Sequence, residues 1–312
     1  MRYSKLLAVD SSTEYLQLVL QSGKNDVHMR MLDEGLRHGE NLMPAVEWLL
    51  AEYDVEVSDL DGLICARGPG SFMGLRIAMS SLKAAASVLG IPLISVSTID
   101  AMFCGYFYEE SISGSQSISG SQSISGSRKD KSRVSGLRDH KMRGSRTLVL
   151  PVIDAKRNRF FTCIYDFDRI DGGGEGSEGA IPEMFSMPDA SRLTALMDAS
   201  ADEIFAVLRE KLTGIFSEAI SGQASDHQYH ELDPIQILLT GPHVLKLYEP
   251  LKISLKALAL PGVPERESSL IALRSRPCTF WGQGMLELGK SALAQGLADD
   301  PAQGPEYIRS GV

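Results

Sequence analysis

Hydrophobic and polar positions along the first hundred residues fall into two periods, one of two and one of about 3.6 residues. Leu6 to Val9 is a short apolar run that ends at Asp10-Ser11-Ser12-Thr13, the pattern of a buried strand entering a polar turn. From Tyr15 to Leu20 the leucines at 16, 18 and 20 alternate with other residues, as in a half-buried strand. The polar stretch Ser22-Gly23-Lys24-Asn25-Asp26 is a turn, and Val27 to Leu32 supplies a third strand, so a meander is expected. Leu42, Met43, Val46, Leu49, Leu50 and Tyr53 then recur on one helical face. Pro44 suits only a first helical turn, which predicts a helix from just before it to about Tyr53. Gly62 to Ala66 predicts a strand, Leu75 to Leu89 a helix stopped by Gly90, and Ile91 to Val96 a further strand.

The second half repeats the mixture with weaker strand signals. Thr147 to Asp154 is an apolar strand, Ala155-Lys156-Arg157-Asn158 a turn, and Arg159 to Phe167 a returning strand. Asp171 to Gly179 is a Gly/Glu loop, Ala201 to Ile220 is helical, and Ile235 to Thr240 is a strand ending at Gly241-Pro242. Ile253 to Leu260 predicts a weaker strand and Phe280 to Leu297 a terminal helix. A three-strand meander followed by alternating helices and strands is the half-domain plan of the sugar kinase, heat-shock ATPase and actin superfamily. The expectation is a two-lobed α/β fold, with lobes at 1–103 and 147–312 and an insertion at 104–146.

Between the two periodic halves the pattern fails altogether. Ser111 to Arg128 reads Ser-Ile-Ser-Gly-Ser-Gln, the same six again, then Ser-Ile-Ser-Gly-Ser-Arg. Such a repeat buries too little apolar surface to offset its ordering entropy, so a linker-like loop is expected. Arg128 to Arg146 follows with eight Lys/Arg against two Asp, a basic arm that could touch a phosphate backbone.

Composition narrows the function classes. With 43% hydrophobic and 23% charged residues the chain is an ordinary globular sequence. Its net charge of -9 argues against unaided tight binding to nucleic acid. Cys65, Cys104, Cys163 and Cys278 are scattered without a CxxC pair, which argues against a zinc site or a disulfide framework and fits the cytoplasm. The opening apolar run stops at Asp10, too soon for a signal peptide, and no apolar stretch of membrane-spanning length is evident.

Candidate chemistry sits in the turns. Hydroxyls and backbone N–H groups of Asp10, Ser11, Ser12 and Thr13, placed after a strand, can cradle phosphate, and Asp10 could hold a metal-bound water. An active ATPase of this superfamily also needs a second acidic loop and a Gly-rich nucleotide clasp. Asp154-Ala155-Lys156-Arg157 and Leu239-Thr240-Gly241-Pro242 hold those positions without the glycine density of a clasp. His38 with Glu40, and His227 with His230, lack the further ligands of a metal centre, so no metal site is expected. The run Arg67-Gly68-Pro69-Gly70-Ser71-Phe72-Met73-Gly74 forces a tight strand-to-helix turn, and Gly74, Ala78, Ser81 and Ala85 form a small-residue row that admits a close helix partner.

Three of these segments together carry a resemblance. Leu6-Leu7-Ala8-Val9-Asp10-Ser11-Ser12-Thr13, His38-Gly39-Glu40-Asn41-Leu42-Met43-Pro44 and Arg67-Gly68-Pro69-Gly70-Ser71-Phe72-Met73-Gly74-Leu75-Arg76 resemble the TsaB (YeaZ) family. Pro151 to Arg157 and Pro305-Glu306-Tyr307-Ile308-Arg309 match its pattern more loosely. The resemblance implies an actin-like ATPase fold with a degenerate active site, in a non-catalytic subunit of the machinery that makes threonylcarbamoyladenosine in tRNA. The implied partners are a TsaD-type catalytic subunit, a TsaE-type ATPase subunit, a second copy when alone, and tRNA indirectly, with no membrane. No cofactor of its own is implied, only ATP or ADP at the complex interface. The docking surface carried over comprises Glu40, Met43 and Glu47 on the first helix, with Arg67, Phe72, Met73, Arg76, Met79 and Lys83 around the second. Met73 stands where the family usually has Thr, removing a hydroxyl from the turn. The competing readings are an autonomous ATP-hydrolysing enzyme of the superfamily and, disfavoured by the missing His-rich motif, a metalloprotease.

Overall fold

The computed structural model describes residues 3–24, 26–33, 37–113, 146–167, 191–222, 234–258, 270–278, 280–300 and 302–305. Strands β1 (Leu6–Asp10), β2 (Tyr15–Gln21) and β3 (Val27–Asp33) form the expected antiparallel meander, with Leu7 opposite Leu20 and Leu18 opposite Arg30. Helix α1 (His38–Glu52), β4 (Gly62–Gly68), α2 (Phe72–Leu89) and β5 (Leu93–Ser97) follow, with β1, β4 and β5 parallel. The sheet order is β3-β2-β1-β4-β5.

The second sheet repeats that plan. Strands β6 (Arg146–Lys156), β7 (Arg159–Thr162) and β9 (Met197–Ser200) make the meander, and β8 (Tyr165–Asp166) pairs with the start of β6. Helix α4 (Ala201–Gly222), β10 (Ile235–Gly241), α5 (Val244–Lys256) and β11 (Ile271–Pro277) follow, and β6, β10 and β11 run parallel. Reversing the direction of reading, the order is β9-β7-β6-β10-β11, the counterpart of the first sheet. The two halves also share punctuation. Gly68 and Gly241 each end a parallel strand, each precede a proline, and adopt φ of 110° and 114°, a region that favours glycine. This is the two-lobed, actin-like α/β fold.

Two helices join the lobes. Helix α3 (Thr98–Ser113) leaves β5 and packs on β6 and β10 of the other sheet, while α6 (Gly282–Ala294) returns to β1, β2, β4 and β5. They lie against each other, and one core cluster contains Ala8 and Ile64 of the first sheet, Phe103 of α3, Val149 of the second sheet, and Met285 of α6. Glycines let them approach. A Cβ on Gly284 would stand 2.2 Å from the Ala101 carbonyl oxygen, and one on Gly289 would stand 2.4 Å from Ile64 Cδ1. Separate cores fill the outer sides, Leu42, Val46, Leu49, Ala78 and Leu82 behind the first sheet and Leu208, Leu212, Phe216, Leu247 and Leu251 behind the second.

Five expectations need correction. The insertion does not begin at 104, because α3 continues to Ser113 and Cys104 is in the interlobe core. The segment 147–312 is not one lobe, since α6 completes the first sheet's inner layer. Residues 253–256 are helical, not extended: α5 tolerates Pro250 and buries Val244, Leu247 and Leu251 at spacings of three and four. Likewise α1 starts six residues before Pro44, at His38, whose ring is anchored below. Pro44 lies on the exposed face, where the carbonyl left without an N–H partner can meet water. The returning strand at 159–167 is divided into β7 and β8. The sequence readings at 114–145, 171–179 and 223–230, including His227, His230 and most of the repeat, lie outside the described residues.

Helix α2 is 18 residues long with mean hydropathy 1.3, which satisfies the length and composition of a membrane span and qualifies the expectation that none exists. Its Gly74, Leu75, Ala78, Met79, Leu82 and Ala86 are buried, and it packs on β1, β4, β5 and α1.

Candidate functional site

The turn after β1 is held shut by the Gly-rich turn before α2. The Ser71 N–H donates to the Ser12 carbonyl at 2.6 Å, and Ser11 Oγ donates to the Gly74 carbonyl at 2.8 Å. A Cβ on Gly70 would lie 2.2 Å from the Ser12 oxygen, and one on Gly74 would lie 2.0 Å from the Ser11 oxygen. Glycine is therefore required at both places by backbone-to-backbone contact. Ser71 also caps α2 by accepting the Gly74 N–H at 3.2 Å. Met73 is 62% exposed, so the hydroxyl missing there takes nothing from the cap.

His38 reinforces the same closure. It is buried, and its Nε2 donates to the Thr13 carbonyl at 2.7 Å. This is a structural strut between α1 and the loop, a role that the spacing of His38 and Glu40 did not disclose. Among the described residues no group of His, Cys, Asp or Glu is arranged to hold a metal.

Asp10, Ser11, Ser12 and Thr13 are all buried. The Ser12 N–H donates to Asp10 Oδ1 at 2.7 Å, and the Trp281 indole N–H donates to Asp10 Oδ2 at 2.5 Å. Both carboxylate oxygens thus have protein donors. Burial nevertheless raises the Asp10 pKa, with the bonds from Ser12 and Trp281 pulling it back down. No local sequence motif ties Trp281, 271 positions away, to the strand-one turn. A phosphate reaching this loop would have to displace α2's turn or the indole.

The corresponding loop of the second lobe is open. Asp154 accepts the Lys156 N–H at 2.7 Å and an ammonium hydrogen from Lys246. Burial by itself would raise its pKa, but those two bonds and the lysine charges outweigh it and lower the value to about 2. His243 spans the lobes: Nδ1 accepts the Asp154 N–H at 3.1 Å, which fixes the proton on Nε2, and Nε2 donates to Glu14 Oε1 at 3.1 Å. Burial lowers the His243 pKa against the opposing pull of Glu14.

The carried-over partner residues separate into two groups. Glu40, Met43, Glu47, Phe72, Met73 and Arg76 are exposed on α1 and α2, and the Arg76 guanidinium lies 4.0 Å from the Phe72 ring centre. Trp48 and Val88 add exposed apolar area on the same helices. The other three point elsewhere. Met79 is 2% exposed within the core behind the first sheet. Arg67 donates to the Ser95 carbonyl at 3.0 Å. Lys83 donates to the Gln303 carbonyl, in a segment whose Asp299 N–H bonds the Leu93 carbonyl at 2.9 Å.

Against known proteins, the whole chain superposes on YeaZ from Pseudomonas aeruginosa with a TM-score of 0.53 at 17% identity, covering 98% of this chain and 100% of that one. That likeness is one of fold. The sequence matches to TsaB proteins cover about a third of the chain. The tRNA threonylcarbamoyladenosine biosynthesis protein TsaB of Escherichia coli is 30% identical over 102 residues, 32% of this chain and 43% of that protein. TsaB of Bacillus subtilis is 32% identical over 97 residues, 31% of this chain and 42% of that protein. Over that third the chain is similar to the TsaB (YeaZ) family. An uncharacterized protein of Mycobacterium tuberculosis, Rv3421c, is 34% identical over 101 residues, 32% of this chain and 48% of that protein. The match thus spans less than half the length of each of these relatives. Residues 35–119 also match the model of TsaD, tRNA N6-adenosine threonylcarbamoyltransferase, a stretch that contains α1, α2 and α3.

Proposed function

We propose that the chain is a non-catalytic subunit in the synthesis of threonylcarbamoyladenosine in tRNA, pairing with a TsaD-type transferase through the exposed face of α1 and α2. The observation that carries this reading is the apolar surface of Met43, Trp48, Phe72 and Met73 on two adjacent helices within the stretch that matches the TsaD model. Large apolar side chains gathered at a surface mark an interaction site more often than chance exposure. The closed Asp10 loop supports a scaffold role, since its carboxylate is engaged by Trp281 and Ser12. A TsaE-type ATPase and a second copy of the chain are the further partners of this reading, with ATP or ADP bound at the complex interface and tRNA reached through the complex.

The test is co-purification with the TsaD-type subunit of the same organism, followed by size-exclusion chromatography. Phe72→Glu and Arg76→Glu should abolish a 1:1 complex while leaving the fold intact. Met79→Glu is unsuitable because it buries a charge. Absence of a complex between two folded proteins, with ATP and the ATPase subunit present, would remove the scaffold reading. One observation favours the autonomous enzyme instead: Asp154 is an ionised carboxylate beside Lys246 in the second loop. ATP hydrolysis by the isolated chain, abolished by Asp154→Asn, is the result that reading requires.

A further inference from the structure

Two loops, one from each lobe, are joined by a single imidazole. His243 stands between β10 and α5, just after Gly241, whose added Cβ would meet the Val152 carbonyl oxygen at 2.8 Å. This close packing of β10 on β6 places the His243 ring against the Asp154 backbone, 3.1 Å from its nitrogen. The other ring nitrogen reaches Glu14, in the turn after β1, at 3.1 Å. His243 is the N-cap residue of α5 but makes no side-chain capping bond, so its ring is committed to the two loops.

The two bonds demand different roles. A backbone N–H only donates, so Nδ1 must be a bare acceptor; an ionised carboxylate only accepts, so Nε2 must carry the proton. One form of histidine meets both demands, the neutral ring protonated on Nε2. An imidazolium has a proton on each nitrogen, which sets Nδ1–H against the Asp154 N–H, donor against donor. The cation must leave one loop, and Glu14 keeps it because opposite charge strengthens that contact. Burial is the largest influence on the ring and lowers the His243 pKa. Among the charged groups, Glu14 and Asp154 favour the cation, while Lys246 in the first turn of α5 opposes it. The α5 dipole opposes it too, in a first turn without an acidic residue.

The loop on the losing side is strained. Lys156, Arg157 and Asn158 follow Asp154 with φ of 65°, 55° and 58°, three successive left-handed residues and none a glycine. The Asp154 side chain pins the start of this turn by accepting the Lys156 N–H at 2.7 Å, and His243 pins it through the Asp154 N–H. Removing the second tie gives the turn a route to relax.

We propose that His243 is a proton-operated link between the loops: neutral, it ties the Glu14 turn to the Asp154 turn; protonated, it stays with Glu14 and frees the Asp154 turn. The link works independently of any partner at α1 and α2.

The experiment is amide hydrogen exchange of Asp154 in the full chain, read by NMR between about pH 8 and about pH 5 and corrected for the intrinsic pH dependence of exchange. The ring-nitrogen shifts of His243, followed in parallel, report its protonation. Protection of the Asp154 amide should fall by about fivefold as the ring charges, the loss of one hydrogen bond. His243→Gln offers one acceptor and one donor at every pH, so protection in that variant should stay flat. Glu14→Gln keeps an acceptor but removes the charge that favours the cation, so the fall should move to lower pH. A ring that titrates without loss of Asp154 protection overturns the proposal, and so does a ring that stays neutral throughout the range. An equal loss in the folded His243→Gln variant overturns it as well, since the loss would then arise elsewhere.

Discussion

Asp10 and Asp154 stand in corresponding first strands of two sheets with the same strand order, yet their surroundings are opposite. Asp10 is fully buried, capped by an indole, and has its pKa raised by burial. Asp154 lies among lysines and has its pKa lowered to about 2. The first lobe has made its loop a packing element, with Gly70, Gly74 and His38 closing it from outside. The second lobe has kept its loop polar and cross-linked by charge. Duplicated architecture thus conserves the strand-to-turn geometry while the chemistry of each turn is set by what packs on it. In the first lobe that is α6, the helix that follows the second sheet.

The sharpest way to break this contrast is Gly74→Ala. Its Cβ would meet the Ser11 oxygen at 2.0 Å, so the two turns must separate, and a loss of about 4 kcal/mol or more is expected in urea unfolding. Unchanged stability would show that the first loop is not clamped. Trp281→Phe should come next. It leaves one Asp10 oxygen without its donor in a dry site, at a cost of about 1–3 kcal/mol plus a repacking term.

The pH dependence of the two aspartates should have opposite signs. Asp154 has a folded pKa below its unfolded value, so its contribution is present above about pH 4 and disappears as pH falls toward about 2. Asp154→Asn should lower stability at neutral pH by about 1 kcal/mol and by little at the acid end. Asp10 has a folded pKa above its unfolded value, so its contribution is greatest below the unfolded pKa and declines as pH rises through the folded one. Asp10→Asn should therefore flatten the stability curve in the opposite direction, read from thermal midpoints across pH. Smallest of all, Met73→Thr at its exposed position should shift stability by no more than about 0.5 kcal/mol.

Local physics made much of this legible. The meander, the Gly90 stop of α2 and the strand at Ile235 follow from period and punctuation, and Gly90 indeed adopts φ 68°. The need for glycine in the run after β4 was legible too, although its cause is the Ser11 and Ser12 backbone, a contact between segments about sixty residues apart. What stayed hidden is long-range. Residues 98–105 of helix α3 are all buried, between α6 and the second sheet, so this part of the helix carries no amphipathic signal. The separation of Met79 from Phe72 and Met73 depends on which face of α2 meets the sheet. Trp281 on Asp10, His243 between Glu14 and Asp154, and Arg192 beside Asp100 are side-chain meetings that only the assembled fold creates.

The crossing of α6 back to the first sheet has a consequence for biosynthesis. Residues 6–97 contain every strand of that sheet, yet Leu286, Leu288 and Leu293, which join its inner core, leave the ribosome nearly two hundred residues later. The first lobe cannot finish folding as it emerges, and its inner face must wait, partly uncovered, for the helix that seals it. A fragment cut after residue 103 is for the same reason not a domain but an unfinished half.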